Sequence, residues 1–354
     1  MKRFTTMFAL LALVLPLAAQ QQPQPFQQEI EVNAVLLDVI VTDPKGNQIL
    51  GLTKDDFVVT ENGVPQEVES VDYLTNRQLL DSREGNAPFR VERVQEDRYF
   101  IFFFDKPQDP GVLMEQLAQA RGAVRHFVRE QMKDTDRVAI VGHDTRLKVY
   151  TDFTSDKKRL ERALKDASGF GRGQLTADTE GASILRNIGR ETLIGDTGTV
   201  YEALDVLADG VRPIRARKNL VLFSPGIADM HEQIRNGMLV DRSRHVEPML
   251  QSLNSANVSV YAVQVQRNEG ASAEAAAVHQ RLSELALSTG GRYFQFNTNF
   301  KPVVEAVEQT NAGYYLVTYK ARKPRGEKGF QKVKVSVKNS DLNVNARSGY
   351  AYGS

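Results

Sequence analysis

An unbroken apolar run, Tyr99-Phe100-Ile101-Phe102-Phe103-Phe104, ends abruptly at Asp105. A strand with one face in water alternates apolar and polar residues, so a continuous run of this kind must be covered on both faces. A parallel sheet with helices on both sides supplies that cover. Asp105 then stands at the carboxyl end of a central strand, where open α/β sheets hold their ligands.

The downstream sequence repeats the alternation such a sheet needs. Asp109-Pro110 reads as a helix cap followed by proline at the first helical position. Leu113, Leu117, Ala120, Val124, Phe127, Val128 and Met132 then fall on one helical face. Strands are expected over 137–142, 147–152, 218–224, 258–265 and 292–296, and helices over 157–167, 200–208, 246–256, 273–288 and 302–310. Regular alternation of this type predicts a doubly wound, mostly parallel α/β sheet. Three longer excursions, 168–198 with seven glycines, 227–245 and 266–272, each lead into a helix and are expected at the upper rim with Asp105. Long connections without a core of their own serve ligands or simply move.

The flanks read differently. Segment 30–42 is rich in Val, Ile and Leu, stops at the turn Asp43-Pro44-Lys45-Gly46-Asn47, and resumes at Phe57-Val58-Val59-Thr60 and over 66–73. At the other end, 331–338 alternates Val333, Val335 and Val337 with polar residues, and Leu342, Val344 and Ala346 alternate after Asn339-Ser340-Asp341, which predicts a hairpin. Two or three short strands make a marginal sheet, whereas the two ends together provide about six. Charge agrees with their pairing: 29–97 holds 15 acidic and 6 basic residues, a net of −9, and 314–354 holds 9 basic and 2 acidic, a net of +7. The expected division is a signal peptide at 1–19, a flexible Gln-rich leader at 20–28, and a small β-sandwich-like domain from 29–75 and 313–354. A linker at 76–97 leads to an α/β domain at 98–312 inserted between the two parts.

Lys2 and Arg3 precede an uncharged run from Phe8 to Ala19, too short for the roughly 20 residues of a bilayer span and closed by the small residues Ala18-Ala19. This predicts export to the periplasm or beyond, with no membrane span after cleavage. The chain has no cysteine, which excludes thiol catalysis and Cys-ligated zinc.

The alternation over 99–310 resembles a von Willebrand factor A domain. The flanking segments Val39-Ile40-Val41-Thr42-Asp43, Gly51-Leu52-Thr53-Lys54-Asp55-Asp56-Phe57, Gly313-Tyr314-Tyr315-Leu316-Val317 and Ala346-Arg347-Ser348-Gly349-Tyr350 resemble a family of acidobacterial secreted proteins with a domain related to it. The resemblance implies a metal-ion-dependent adhesion site: an Asp-x-Ser-x-Ser loop, a threonine from a later loop and a second aspartate. Oxygen ligands of this kind suit Mg²⁺ or Ca²⁺. Here the loop is Asp105-Lys106-Pro107-Gln108-Asp109, so Asp105 is kept, both serines are gone, and Asp109 takes the place of the second. Thr199 matches the threonine, and Ser224-Pro225-Gly226 stands where Thr-Asp-Gly would be, so the second aspartate is missing. Asp105, Asp109 and Thr199 are the candidate metal ligands. Asp109 and Thr199 are equally explained as helix caps, and Lys106 beside the site repels a cation. No cofactor is expected, with Mg²⁺ or Ca²⁺ as the alternative.

The remaining motifs are weaker. His126, His143, His231, His245 and His279 lack metal spacing, the glycines of 169–173 follow no strand, and no G-x-S-x-G elbow or nucleic-acid motif occurs. The reading is a non-enzymatic binding or scaffolding module, its rim formed by Asp105, Lys106, Asp109, Thr199 and Ser224, engaging an exported protein or a surface polymer. The alternatives are an envelope enzyme working through the Asp105 and Asp109 carboxylates and a purely structural envelope domain. Intact-mass measurement of protein from its native host is expected to give a chain beginning near Gln20. A mature chain retaining Met1 contradicts export by cleavage.

Overall fold

The computed structural model describes residues 30–75, 91–93, 97–106, 113–177, 181–227, 245–265, 273–295, 299–324 and 327–353. The signal and leader segments, Asp109-Pro110 and most of 227–245 lie outside the described residues, as does all of 266–272. In chain order the strands and helices are β1 (Ile30–Thr42), β2 (Phe57–Glu61), β3 (Val64–Gln66), β4 (Val68–Thr75), β5 (Val91–Arg93), β6 (Arg98–Asp105), α1 (Leu113–His126), β7 (Asp136–His143), β8 (Leu147–Thr154), α2 (Lys157–Ser168), α3 (Arg190–Gly195), α4 (Val200–Val211), β9 (Lys218–Ser224), α5 (Val246–Ser255), β10 (Val258–Gln264), α6 (Ala273–Ser288), β11 (Tyr293–Phe294), α7 (Lys301–Thr310), β12 (Gly313–Pro324), β13 (Gly329–Val337), β14 (Asn343–Asn345) and β15 (Gly349–Tyr352).

The fold is mixed α/β. A six-stranded sheet runs β11-β10-β9-β6-β7-β8, parallel throughout except for β8, which turns back on β7. The apolar run forms β6, and its alternate side chains enter two separate cores. Phe100, Phe102 and Phe104 pack with α1, α2 and α7, while Ile101 and Phe103 pack with α4, α5 and α6. Ring contacts fix the first core: Phe127 lies 5.3 Å from Phe100 and 5.5 Å from Phe102, and Phe104 stacks on Phe223 at 5.3 Å. At the lower end Arg98 grips Asp136 through two hydrogen bonds of 2.7 and 2.9 Å and reaches Glu308 of α7 at 3.0 Å. That fork locks β6, β7 and the last helix together.

The strands of the two chain ends interleave. One sheet has the order β14-β1-β12-β4-β5 and another β15-β13-β2-β3, so each mixes N-terminal with C-terminal strands. Ten residue pairs, from Ile30↔Pro324 to Val39↔Tyr315, join β1 to β12. Val35, Leu37, Val39, Phe57, Val59, Tyr315, Val317, Tyr319 and Val333 share one core. Glu61 of β2 is buried within it, accepting 2.7 Å hydrogen bonds from Tyr319 and Tyr350 of the other chain end. Burial, and then the donor role toward Glu61, push both phenols above their usual range.

Several expectations need correction. The stretch 342–346 does not fold back on 331–338: β14 pairs with β1, and β13 pairs with β2 and β15. The cause is that 338–342 crosses from one sheet to the other, which a period of two cannot reveal. The strand expected over 66–73 is two strands, because the chain changes sheets between Gln66, paired with β2, and Val68, paired with β12. The expected linker 76–97 contains β5, which pairs in parallel with the end of β4, from Tyr73↔Val91 to Thr75↔Arg93. The strand at 292–296 reduces to Tyr293–Phe294. The last turn of the first helix, Phe127–Gln131, widens into a π-helix. The glycine-rich excursion 168–198 is anchored to the main core. Buried Asp152 accepts hydrogen bonds from Ile184 N at 2.8 Å and Ser183 Oγ at 2.6 Å, and this drives Ile184, Leu185 and Leu193 into the main core.

Lys218, the first residue of β9, is fully buried, with its ammonium donating to Ile214 O. Burial drives its pKa down to about 7 despite the pull of Asp38. In the unfolded chain the amine stays protonated up to its ordinary 10.5. Between about pH 7 and 10 the unfolded state therefore binds the extra proton, and stability rises with pH. In denaturant titrations the advantage of Lys218→Met over the natural chain is expected to grow by about 1.4 kcal/mol for each pH unit lowered from about 10 to 7, then level off. A difference that does not change with pH contradicts a depressed lysine.

Candidate functional site

The carboxyl ends of β6, β7 and β9 bring Asp105, His143 and Ser224 together. The register Asp105↔His143 places the two strand-terminal residues side by side, and β9 lies on the other flank of β6. Ser224 Oγ donates to Asp105 Oδ2 at 2.7 Å and accepts from Gly226 N at 3.2 Å. His143 Nδ1 lies 3.3 Å from Asp105 Oδ1, and its Nε2 lies 3.2 Å from the Thr197 carbonyl. A carbonyl only accepts, so the Thr197 contact has Nε2 as its donor. Thr197 is itself buried and held: its hydroxyl accepts from Leu147 N and donates to Leu193 O, each at 2.9 Å.

This arrangement decides where each expected site residue stands. Asp105 is 6% exposed and both of its oxygens are engaged. Ser224 is buried against it. Thr199 caps α4, its hydroxyl accepting from Glu202 N at 3.2 Å while the Glu202 carboxylate takes Thr199 N at 2.8 Å. The residue of that loop that reaches the network is Thr197. Lys106 donates its backbone N–H to His143 O at 2.8 Å and sends its ammonium 5.4 Å from the centre of the Phe170 ring. Beside it, Lys148 bridges Asp144 Oδ2 at 2.6 Å and Phe170 O at 2.7 Å. Burial opposes the charge on Asp144, but the hydrogen bond and charge of Lys148 hold its carboxyl below the usual range. Asp109 lies outside the described residues.

Ca²⁺ takes about six to eight oxygens, whereas Mg²⁺ keeps several waters and needs only one or two carboxylates. Of the two candidate carboxylates, Asp105 is described and Asp109 is not. Among the described residues no group of three or more His, Cys, Asp or Glu is placed to hold a metal. Pro225 follows Ser224 where the resemblance would need an aspartate, and Gly226, at φ +140°, sits so close to α6 that a Cβ would meet Val278 Cγ1 at 2.5 Å. Helix packing shapes the loop, and the described residues after Ser224, Pro225 to Ile227, carry no side-chain oxygen.

Sequence reasoning missed His143 because it searched for spacing between histidines. The signal was present in another form: two neighbouring uncharged runs, 99–104 and 138–142, each end in a polar residue at the same height of a parallel pair.

No protein-family model and no curated protein matches the chain. Solved structures are similar at low identity. The conserved hypothetical protein BatB from Bacteroides thetaiotaomicron is 12% identical over 60% of this chain and 96% of its own, with a TM-score of 0.38. The pilus adhesin SpaC from Lactobacillus rhamnosus GG is 7% identical over 83% of this chain and 47% of its own, with a TM-score of 0.40. The vWF domain of the type V pili tip protein Mfa5 from Porphyromonas gingivalis is 17% identical over 38% of this chain and 40% of its own, with a TM-score of 0.25.

Replacing Asp105 with Ala strands the Ser224 hydroxyl and the His143 ring, and is expected to cost about 1–3 kcal/mol of stability in denaturant unfolding. Mg²⁺ or Ca²⁺ is expected to leave the melting temperature of the natural chain unmoved. An ion bound at 100 times its dissociation constant would add about 2.7 kcal/mol, and a chelator-reversible shift of that size, abolished by Asp105→Ala, would contradict the hydrogen-bonded reading.

Proposed function

We propose that the protein is an exported binding or scaffolding module of von Willebrand factor A-like architecture, inserted in a β-sandwich built from both chain ends. Its upper rim engages another exported protein or a surface polymer without a resident metal ion and without catalysis. The observation that supports this reading is the closed network at the strand ends. Asp105, His143, Ser224 and Thr197 bond to one another at the strand ends, and Asp105 is buried with a partner on each oxygen. The strand order around β6 and the position of Asp105 at the carboxyl end of that strand support the architecture. No helix among the described residues is long and apolar enough to cross a membrane.

The test is affinity capture from a cell-envelope extract, run with Mg²⁺ and with chelator. A stoichiometric partner retained equally in both, and weakened by Lys106→Glu at the rim, is the expected result. Capture that needs the divalent ion, or turnover of a small molecule by the purified chain, contradicts the reading.

A further inference from the structure

The end of the six-stranded sheet opposite the rim faces the outer side of the β1-β12-β4 sheet across a groove of about 780 Å³. Arg212, Arg215, Arg217 and Arg347 line it, together with Asp38 and Asp97. The charges do not balance. Arg212 pairs with Asp209 and Asp97 pairs with Arg137, at 3.0 Å in the second case. That leaves Arg215, Arg217 and Arg347 around the single carboxylate of Asp38, which already accepts from Asn257 Nδ2 at 2.8 Å.

The two inner guanidiniums are held by carbonyl groups, which position a cation without neutralising it. Arg217 donates to Gly290 O at 3.0 Å and Asp38 O at 3.4 Å, and Arg347 donates to Leu36 O at 2.9 Å and Asn254 O at 3.3 Å. The Nε–H of each is buried with no hydrogen-bond partner. Arg217 is itself 9% exposed. Arg217, Arg347 and the buried Lys218 lie within electrostatic reach of one another, and both Arg347 and Lys218 are pushed down by burial. Buried polar groups in folded proteins are almost always satisfied, so two incompletely hydrogen-bonded guanidiniums beside a groove that holds one carboxylate leave an excess of positive charge for an anion in the groove to offset. The floor adds apolar surface from Leu36 and Leu316.

We infer that this groove is a binding site for a compact, multiply charged organic or inorganic oxyanion, whose carboxylate or phosphate oxygens accept from Arg217, Arg347 and Arg215. Guanidinium suits this role because its planar fork meets two oxygens at once and sheds its hydration readily. Binding here tethers the six-stranded unit, through Arg217, to the chain-end strands, through Arg347. The site is independent of the upper rim, and its success or failure leaves the proposed function untouched.

The test uses the mature chain, titrated calorimetrically with citrate in one arm and inorganic phosphate in another, with sodium chloride at matched ionic strength as the control. Saturable one-site binding of either probe is expected, with movement of the Arg217 and Arg347 Nε–H signals in nitrogen-proton spectra. Arg347→Gln is expected to weaken binding about tenfold, the value of a hydrogen bond to a charged group. Arg215→Gln, on an exposed side chain, is expected to weaken binding in the same direction without disturbing the fold, and so carries the test if Arg217→Gln does not fold. Citrate alone binding assigns carboxylates, phosphate alone assigns phosphates, and both support the site. Absence of saturable binding to either probe, or binding that Arg215→Gln and Arg347→Gln leave unchanged, overturns it.

Discussion

The structure depends on the double burial of β6. A strand with apolar side chains on both faces has no stable place at an edge or on a half-wet sheet, so helices must close over it from both sides. Once Phe100, Phe102 and Phe104 enter one core and Ile101 and Phe103 the other, the neighbours follow: β7 and β9 must be parallel and equally apolar, and their connections must cross over the faces. The polar residues that end these strands are then forced into one place. Asp105, His143 and Ser224 meet because three buried strands run out of apolar sequence at the same level.

That origin explains the character of the upper site. Its side chains sit in the last ring of buried positions, where an unpaired polar group is costly. They resolve the cost by bonding to one another and to the Thr197 carbonyl. A cluster formed this way is closed upon itself, each polar side chain bonded to another or to the backbone. The lower groove is the opposite case. There, two guanidiniums are buried by the approach of two separately built layers, and neither layer supplies enough carboxylate.

How much of this was legible in the sequence follows from what each pattern encodes. Apolar run length and helical spacing report burial, so β6, β9, β10 and the helices from α1 to α7, apart from the short α3, were readable. Period two reports a strand but not its neighbour, and for that reason Leu342–Ala346 was assigned to β13 instead of β1. The break between Gln66 and Val68 has no glycine to announce it, since the chain changes sheets while staying extended. At the site, Asp105 and Ser224 could be found from the ends of apolar runs, whereas Thr197 acts through its backbone carbonyl, which no side-chain motif records. The surplus charge of the lower groove was invisible because Arg217 and Arg347 are separated by most of the C-terminal half of the chain.

The pairing of β1 with β12 has a consequence for the order of folding. The six-stranded unit has all its strands and helices once the chain reaches Thr310, and its closest pairings span modest lengths of sequence. β1 must wait for residues 313–324, and closing so long a loop is slow even where its free-energy cost grows only gently with length. Until β12 arrives, Val35, Leu37 and Val39 form an open apolar edge, the kind that recruits other chains. A chain cut short before residue 313 therefore retains a sound α/β unit joined to a strand that can only be completed by another molecule.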